Sequence, residues 1–263
     1  MRAITRLSAT FFVVLVALYL GSPILLMLVS SFGGGLYLQF PPPSFSLEWY
    51  VSFFRTPAWR AALITSLQLG LVVAALSVTL AGMAAYWVAR RRFRGKVGLT
   101  TFFLLPAMLP VIVYTVAFYI LFAAKRWLTN WLLLVIAHTV LGFPYAFLII
   151  QVGAAGLDRD IEDAARTLGA SMMPMLRFII IPLLKWHVLF AAISVFVVSF
   201  TEPVTAIFLT SGDIVTLPKK TWEGLRYGID PRTVVGTALL VYAVAGGLAL
   251  FSAARLRRRL SER

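Results

Sequence analysis

The sequence predicts an all-α polytopic membrane protein: six transmembrane helices, a cytoplasmic helical elbow between the fourth and fifth, and both termini in the cytoplasm. Three observations carry this. Of the 263 residues, 60% are hydrophobic and only 13% are charged, whereas a soluble domain is normally about a quarter charged. Several stretches reach the roughly 20 apolar residues that a helix needs to cross a hydrocarbon core about 30 Å thick. Lys and Arg are shared unequally between alternating loops, which is the positive-inside bias. The chain is read as one domain, 1–263, with an N-terminal span at 7–31 and a core at 59–254.

The first span, 7–31, follows Arg2 and Arg6. Its apolar stretch is too long for a signal-peptide h-region and no A-x-A cleavage site follows, so it is retained as a span. "GGGLYLQFPPPS" forms a loop that passes from flexible to stiff. The second span, 59–89, ends at "RRRFRGK". The third, 100–124, contains Pro106 and Pro110, and proline inside a membrane helix frees carbonyls that need new partners. This leaves open whether the third span is one helix. The fourth is 130–152, the fifth 182–210, and the sixth 233–254, followed by "RLRRRLSER".

With the N-terminus in the cytoplasm, the inner side carries 16 of the 24 Lys and Arg residues and the outer side 8. The net charge of +14 is therefore read as topology and lipid-headgroup contact rather than nucleic-acid binding. Trp49, Trp59, Trp87, Trp127, Trp131, Trp186 and Trp222 sit near span ends and read as an interfacial belt. Small residues such as Gly70, Ala74, Gly82, Gly246 and Gly247 allow close helix approach.

Catalytic signatures are missing. Cysteine is absent, which removes disulfides and thiolate metal sites. "FRGK" is not a phosphate-binding loop, because Arg90 stands where its first glycine would be and Val97 follows Lys96. There is no H-E-x-x-H, and His138 and His187 are the only histidines. No metal site and no nucleotide site are expected. His138, on an apolar helix, reads as a hydrogen-bonded packing residue.

Of the ten acidic residues, Glu202 alone falls inside a span, in "VVSFTEPVTAIF". A carboxylate there is costly and faces protein or a water-filled cavity. Pro203 follows it, so the helix bends or breaks at that point. Two roles stay open for Glu202: lining a pathway, or capping broken backbone and pairing with a neighbouring helix.

The cytoplasmic stretch "IEDAARTLGAS", 161–171, differs from everything around it. Asp160 can cap a helix, with Asp163 in the capping-box position. Glu162 and Asp163 suit the dipole of a first turn, and Arg166 can pair back to Glu162. Ile161, Ala164, Ala165 and Leu168 recur at helical spacing and form one shallow apolar face. Gly169 stops the helix. Ser171 can cap a second short helix with Pro174 in its first turn, and Pro182 begins the fifth span. The acidic start and alanine face suit docking on a partner better than lying in the lipid interface.

This stretch resembles the cytoplasmic signature of the integral membrane permeases of ATP-binding-cassette (ABC) importers, E-A-A-x-x-x-G-x9-I-x-L-P. Here Asp163, Ala164, Ala165, Gly169, Ile179, Ile181 and Pro182 keep its spacing, with Asp163 in place of Glu and Ile181 in place of Leu. "SSF", "RRRFRGK" and "LPKKTWEGLRYGIDP" extend the resemblance along nearly the whole chain, towards the spermidine/putrescine type.

The resemblance implies a multi-pass permease of the bacterial inner membrane. Its partners would be an ATP-binding-cassette ATPase dimer, a second homologous permease, a periplasmic or extracellular substrate-binding protein and membrane lipid, with no nucleic acid. The chain would be non-catalytic, with ATP and Mg held by the ATPase. Glu162, Asp163, Ala164, Ala165, Leu168 and Gly169 would couple to that ATPase. Glu202 and Tyr114 would line the substrate pathway, and Trp222, Arg226 and Tyr227 would meet the binding protein. A polyamine is the expected substrate. Related permeases carry opines, phosphonates, iron or other small solutes, and a stand-alone secondary transporter is the alternative of a different class.

Overall fold

The structure is a computed structural model describing residues 2–35, 38–123, 130–210, 212, 214–227, 230–242 and 244–245. The described elements are helical: α1 (Arg2–Ser30), α2 (Glu48–Arg55), α3 (Pro57–Arg90), α4 (Lys96–Met108), α5 (Val111–Phe118, continued by a π turn Tyr119–Ala123), α6 (Asn130–Ala155) and α7 (Arg159–Thr167). They continue as α8 (Met172–Met175, followed by a π turn Leu176–Ile180), α9 (Ile181–Thr201), α10 (Val204–Leu209), α11 (Leu217–Tyr227) and α12 (Arg232–Tyr242). The chain packs as two units, one of residues 1–60 and 220–263 and one of residues 61–219.

In the first unit α1 is sheathed in exposed apolar side chains, among them Phe11, Phe12, Leu18 and Leu20, as suits a helix surrounded by lipid. The loop after it folds back on itself. Gly34 donates its amide to Ser44 O at 2.8 Å and Ser46 to Phe32 O at 2.7 Å. Tyr50 of α2 then ties to the end of α1, its hydroxyl 2.7 Å from Ser31 Oγ, and burial raises its pKa to about 12. The short helix α2 was not expected from the sequence. Phe53 anchors it, fully buried with its ring 5.5 Å from that of Trp59. Trp59 thus fills an interior where the sequence suggested a belt residue. Ahead of α12, Asp230 accepts from the Arg232 backbone at 3.0 Å and from Arg232 Nε at 2.9 Å. Burial pushes the Asp230 carboxyl up, but the hydrogen bonds of Arg232 and Trp59 and the Arg232 charge outweigh it and leave the pKa lowered.

The second unit is organised around α6 packed on α9. Glycine sets the separation: a Cβ on Gly142 would lie 2.6 Å from Val195 Cγ1, and one on Gly153 would lie 2.5 Å from the His187 ring. Gly70 of α3 makes the same kind of approach to Phe196 of α9, at 2.8 Å. Small residues matter here because helices in lipid associate through packing rather than through water exclusion. Leu134, Phe147, Ile150, Ala191 and Val195 fill the core they enclose, and Phe103 of α4 packs between Phe143 and Phe147 of α6.

Among the described residues, four helices are long and apolar enough to cross a membrane, and five if a bent pair counts as one span. The bent pair answers the question left open by Pro106 and Pro110. The expected span 100–124 is two helices, Lys96–Met108 and Val111–Ala123, meeting at 92°. Leu109, just before Pro110, is extended at φ −88°, ψ 142°, as the proline ring demands of its predecessor. Pro106 is carried inside α4 without a break. The expected fifth span also differs. The helical segment begins at Met172 rather than at residue 182 and ends at Thr201, with the π turn Leu176–Ile180 inside it and Pro182 just after that turn. Of the expected sixth span, 233–254, only α12 and residues 244–245 are described; 246–263, with the basic tail, lie outside the described residues.

Gly142→Leu should separate α6 from α9 and cost about 1–3 kcal/mol by overpacking. The expected result is a lower melting temperature of the detergent-solubilised protein, while Gly98→Leu, whose Cβ meets nothing within 4 Å, leaves it unchanged.

Candidate functional site

Two places gather the residues that the sequence singled out: the elbow α7–α8 and the break between α9 and α10. At the elbow the cap is Asp158, not Asp160: the Asp158 carboxylate accepts from the Asp160 amide at 3.1 Å. The helix therefore starts at Arg159, two residues earlier than a cap at Asp160 would set it, and Asp160 lies in its first turn. The stop follows expectation. Gly169 has φ +83°, its amide donates to Arg166 O at 2.9 Å, and that of Ala170 donates to Ala165 O at 3.0 Å. These paired bonds are the Schellman arrangement, which satisfies carbonyls left over at a helix end. Ser171 supplies no side-chain cap to α8.

The two faces of α7 divide differently from the sequence reading. Glu162 and Ala165 are buried and turn towards the protein. Ile161, Asp163, Ala164 and Leu168 are exposed, with Leu168 at 88%, and Gly169 is exposed beside them. The apolar face is thus split: Ala165 packs inward and the remainder stands clear of the chain. Glu162 is drawn inward because Arg90 Nε lies 2.5 Å from its Oε1; this is an ion pair rather than an aligned hydrogen bond. Arg166 does pair with Glu162 as expected, but at 4.0 Å and largely exposed. Of the two acids, Asp163 alone faces outward. Arg90 was read only as part of a topological charge run, and nothing in the local sequence distinguishes it from Arg91 or Arg92.

At the second place α9 ends at Thr201, and Glu202 is extended at φ −89°, ψ 113°. The Glu202 carboxylate then turns forward onto α10. Oε1 accepts from the Val204 amide at 2.7 Å and Oε2 from the Thr205 amide at 2.9 Å. Thr205 Oγ1 also donates to Oε2. Having spent its proton there, Thr205 must accept from His138, whose Nε2 is 2.6 Å away. That assigns the histidine proton to Nε2 and leaves Nδ1 to accept from Ser199 Oγ at 2.9 Å. Ser199, His138, Thr205 and Glu202, all buried, form one chain of hydrogen bonds from α9 through α6 to α10. His138 is a hydrogen-bonded packing residue, as its setting suggested. Tyr114, the other pathway candidate, is buried on α5, which packs against α6 and α10; its hydroxyl has no hydrogen-bond partner among the described residues.

The outer candidates lie on α11. Trp222 and Arg226 are exposed, and the side chain of Tyr227 lies outside the described residues. The sequence reading placed a loop here. The helix is started by the Leu217 amide donating to Ser66 Oγ at 2.7 Å.

Long apolar helices, broken twice at prolines and joined by an exposed, capped elbow, define a multi-pass membrane protein of the transport-permease kind. The chain belongs to the family of binding-protein-dependent transport system inner membrane components, which it matches over residues 77–263. It is 28% identical over 239 residues to the spermidine/putrescine transport system permease protein of Haemophilus influenzae, covering 90% of this chain and 92% of that protein. It is 26% identical to the putrescine transport system permease protein of Escherichia coli K12, covering 92% and 89%. A trehalose transport system permease protein of Mycobacterium tuberculosis is 30% identical over a shorter part, 65% and 62%. In fold the chain is similar to a bacterial ABC transporter involved in the import of the acidic polysaccharide alginate, with a TM-score of 0.59 at 13% identity over 96% of both chains. It is also similar to an amino acid ABC transporter, with a TM-score of 0.56 at 18% identity over 81% and 99%. The chain is the permease component of an ABC importer.

Thr205→Val keeps the shape of the side chain but removes the link between His138 and Glu202. It leaves a buried N–H and a carboxylate oxygen each one partner short, at a cost of about 1–3 kcal/mol. The expected result is a depressed melting temperature in purified protein, with membrane insertion unaffected.

Proposed function

We propose that this chain forms half of the translocation pathway of a polyamine importer and receives its energy through α7. The observation that carries this reading is the outward face of α7: Ile161, Ala164 and Leu168 exposed on a helix capped by Asp158 and stopped at Gly169. An apolar patch held on a rigid, well-terminated helix suits insertion into a groove of a partner. That partner is an ATPase dimer, which binds ATP and Mg. A second permease completes the pathway, and a substrate-binding protein delivers solute at the outer side, where Trp222, Arg226 and Tyr227 of α11 are the contact candidates.

Both termini are cytoplasmic in this reading and the membrane is the bacterial inner membrane. The count of six spans rests on the sequence, which places the sixth at 233–254. The excess of basic residues on the inner loops and the family description support this arrangement.

The polyamine assignment leans on the named relatives. Glu202 adds to it through charge rather than as an open ligand. Its oxygens are engaged by two amides and a hydroxyl, yet an anion in a low-dielectric setting still attracts a nearby cation. Tyr114, buried with an unengaged hydroxyl, is the better candidate for direct contact.

The test is ATP-driven uptake of labelled putrescine in proteoliposomes holding the complete complex. Leu168→Glu or Asp163→Lys should leave the chain in the membrane and cut uptake about tenfold or more, given the usual weight of a central interface residue. Unchanged uptake would remove α7 from the coupling role. Uptake of trehalose in place of putrescine would keep the permease and overturn the substrate. A second prediction concerns Glu202: Glu202→Gln should lower the apparent affinity for putrescine while ATP hydrolysis persists, and unaltered affinity would leave Glu202 a helix cap alone.

A further inference from the structure

Arg90 closes the last turn of α3, and it differs from its neighbours in the basic run. Arg91, Arg92 and Arg94 are exposed, whereas the Arg90 side chain is 10% exposed and its partner Glu162 8%. Its guanidinium reaches three points on the segment that leads into and forms the elbow. Nη1 donates to Leu157 O at 2.8 Å, Nη2 to Asp158 O at 3.4 Å, and Nε stands 2.5 Å from Glu162 Oε1. Leu157 lies just past the end of α6, where no helical amide is available to its carbonyl, and the Asp158 carbonyl opens the hydrogen-bond ladder of α7. Asp158 is also the residue that caps α7. One planar fork thus holds the end of α6, the cap of α7 and the first turn of α7 against α3.

The elbow has a second connection to the membrane helices, through its own backbone into α9. That route is soft. It passes the left-handed turn at Gly169, the short linker to Ser171 and then the π turn Leu176–Ile180; a π turn inside a helix is a common hinge. The Arg90 route contains no such joint. A guanidinium that donates to two carbonyls and is paired with a carboxylate has little freedom to swing, and losing it would leave the distant, exposed Arg166 as the cation paired with the buried Glu162 among the described residues.

We propose that Arg90 is the positioning residue through which a displacement of the elbow is handed to α3, so that α3 and α7 move as one lever while the α8–α9 junction absorbs the difference. This rests on the coupling role of α7 proposed above. Arg90 touches neither substrate nor ATPase; it acts by holding α7.

The chain has no cysteine, so a single pair of spin labels can report the lever directly. Labels at Met83→Cys on α3 and Arg159→Cys on α7, both exposed positions, should give one narrow distance distribution in the complete complex, with and without ATP and Mg. In Arg90→Gln the distribution should broaden. In the same complex, putrescine taken up per ATP hydrolysed should fall about tenfold or more, the ordinary range of a coupling free energy, while ATP hydrolysis itself continues. Arg90→Lys keeps the charge opposite Glu162 but loses the fork. It should fall between the two in both measurements, and it stands in for the glutamine variant if that one does not assemble. A narrow distribution together with native uptake per ATP in either variant would overturn the proposal. A smaller amount of complex with native uptake per ATP would also overturn it, reducing Arg90 to a folding contact. If Leu168→Glu leaves uptake unchanged, the reading of α7 fails, and the label distances still decide whether α3 and α7 form one body.

Discussion

A backbone group that leaves a helix inside lipid finds no water to bond to, so each break in an apolar helix needs its partners supplied from within the protein. This constraint organises the second unit. At the α9–α10 break Glu202 supplies them, its two carboxylate oxygens taking the amides of Val204 and Thr205. The carboxylate is in turn held by Thr205, Thr205 by His138, and His138 by Ser199. Local backbone satisfaction therefore becomes a tertiary bond, because His138 belongs to α6. The break cannot shift without disturbing the α6–α9 pair that the glycines bring together. At the other end of α10 the Lys219 ammonium donates to the Thr210 carbonyl at 2.9 Å, a cation where the helix dipole favours one.

The elbow obeys the same rule with different means. It stands outside the apolar layer, so water and local motifs can serve its backbone: an aspartate cap at one end and a Schellman turn at the other. What it requires from the rest of the chain is placement. Arg90 and Ala165 supply that on the inner side, which leaves Ile161, Ala164 and Leu168 available on the outer side. An amphipathic helix is usually read as apolar inside and polar outside. Here a charged residue points inward and a leucine points outward, the inversion on which the proposed docking role of α7 rests.

Much of this was legible beforehand, for identifiable reasons. Helix-length apolar runs, the Pro110 and Pro203 interruptions and the Gly169 stop are local properties, and local chemistry decided them. The helices α2 and α11 were missed because each is short and leans on a distant residue, α2 through Tyr50 on Ser31 and α11 through its start on Ser66. The start of the fifth helical segment at Met172 was missed because Pro182 read as the entry to the span, whereas it lies in the first turn of α9 directly after the π turn Leu176–Ile180.

The sequence by itself determined that this is a membrane protein of helical spans with a short helical elbow between two of them, since hydropathy, charge bias and the spacing of Asp163, Ala164, Ala165 and Gly169 are written along the chain. Only the tertiary structure decided which of the two elbow acids faces outward, which arginine of a run of basic residues is buried, and what Glu202 holds. Each of those answers depends on a residue far away in sequence: Arg90 for Glu162, and His138 for the Thr205 that holds Glu202. Electrostatic and hydrogen-bond partners in a low-dielectric interior are chosen by proximity in space, and helical periodicity carries no record of it.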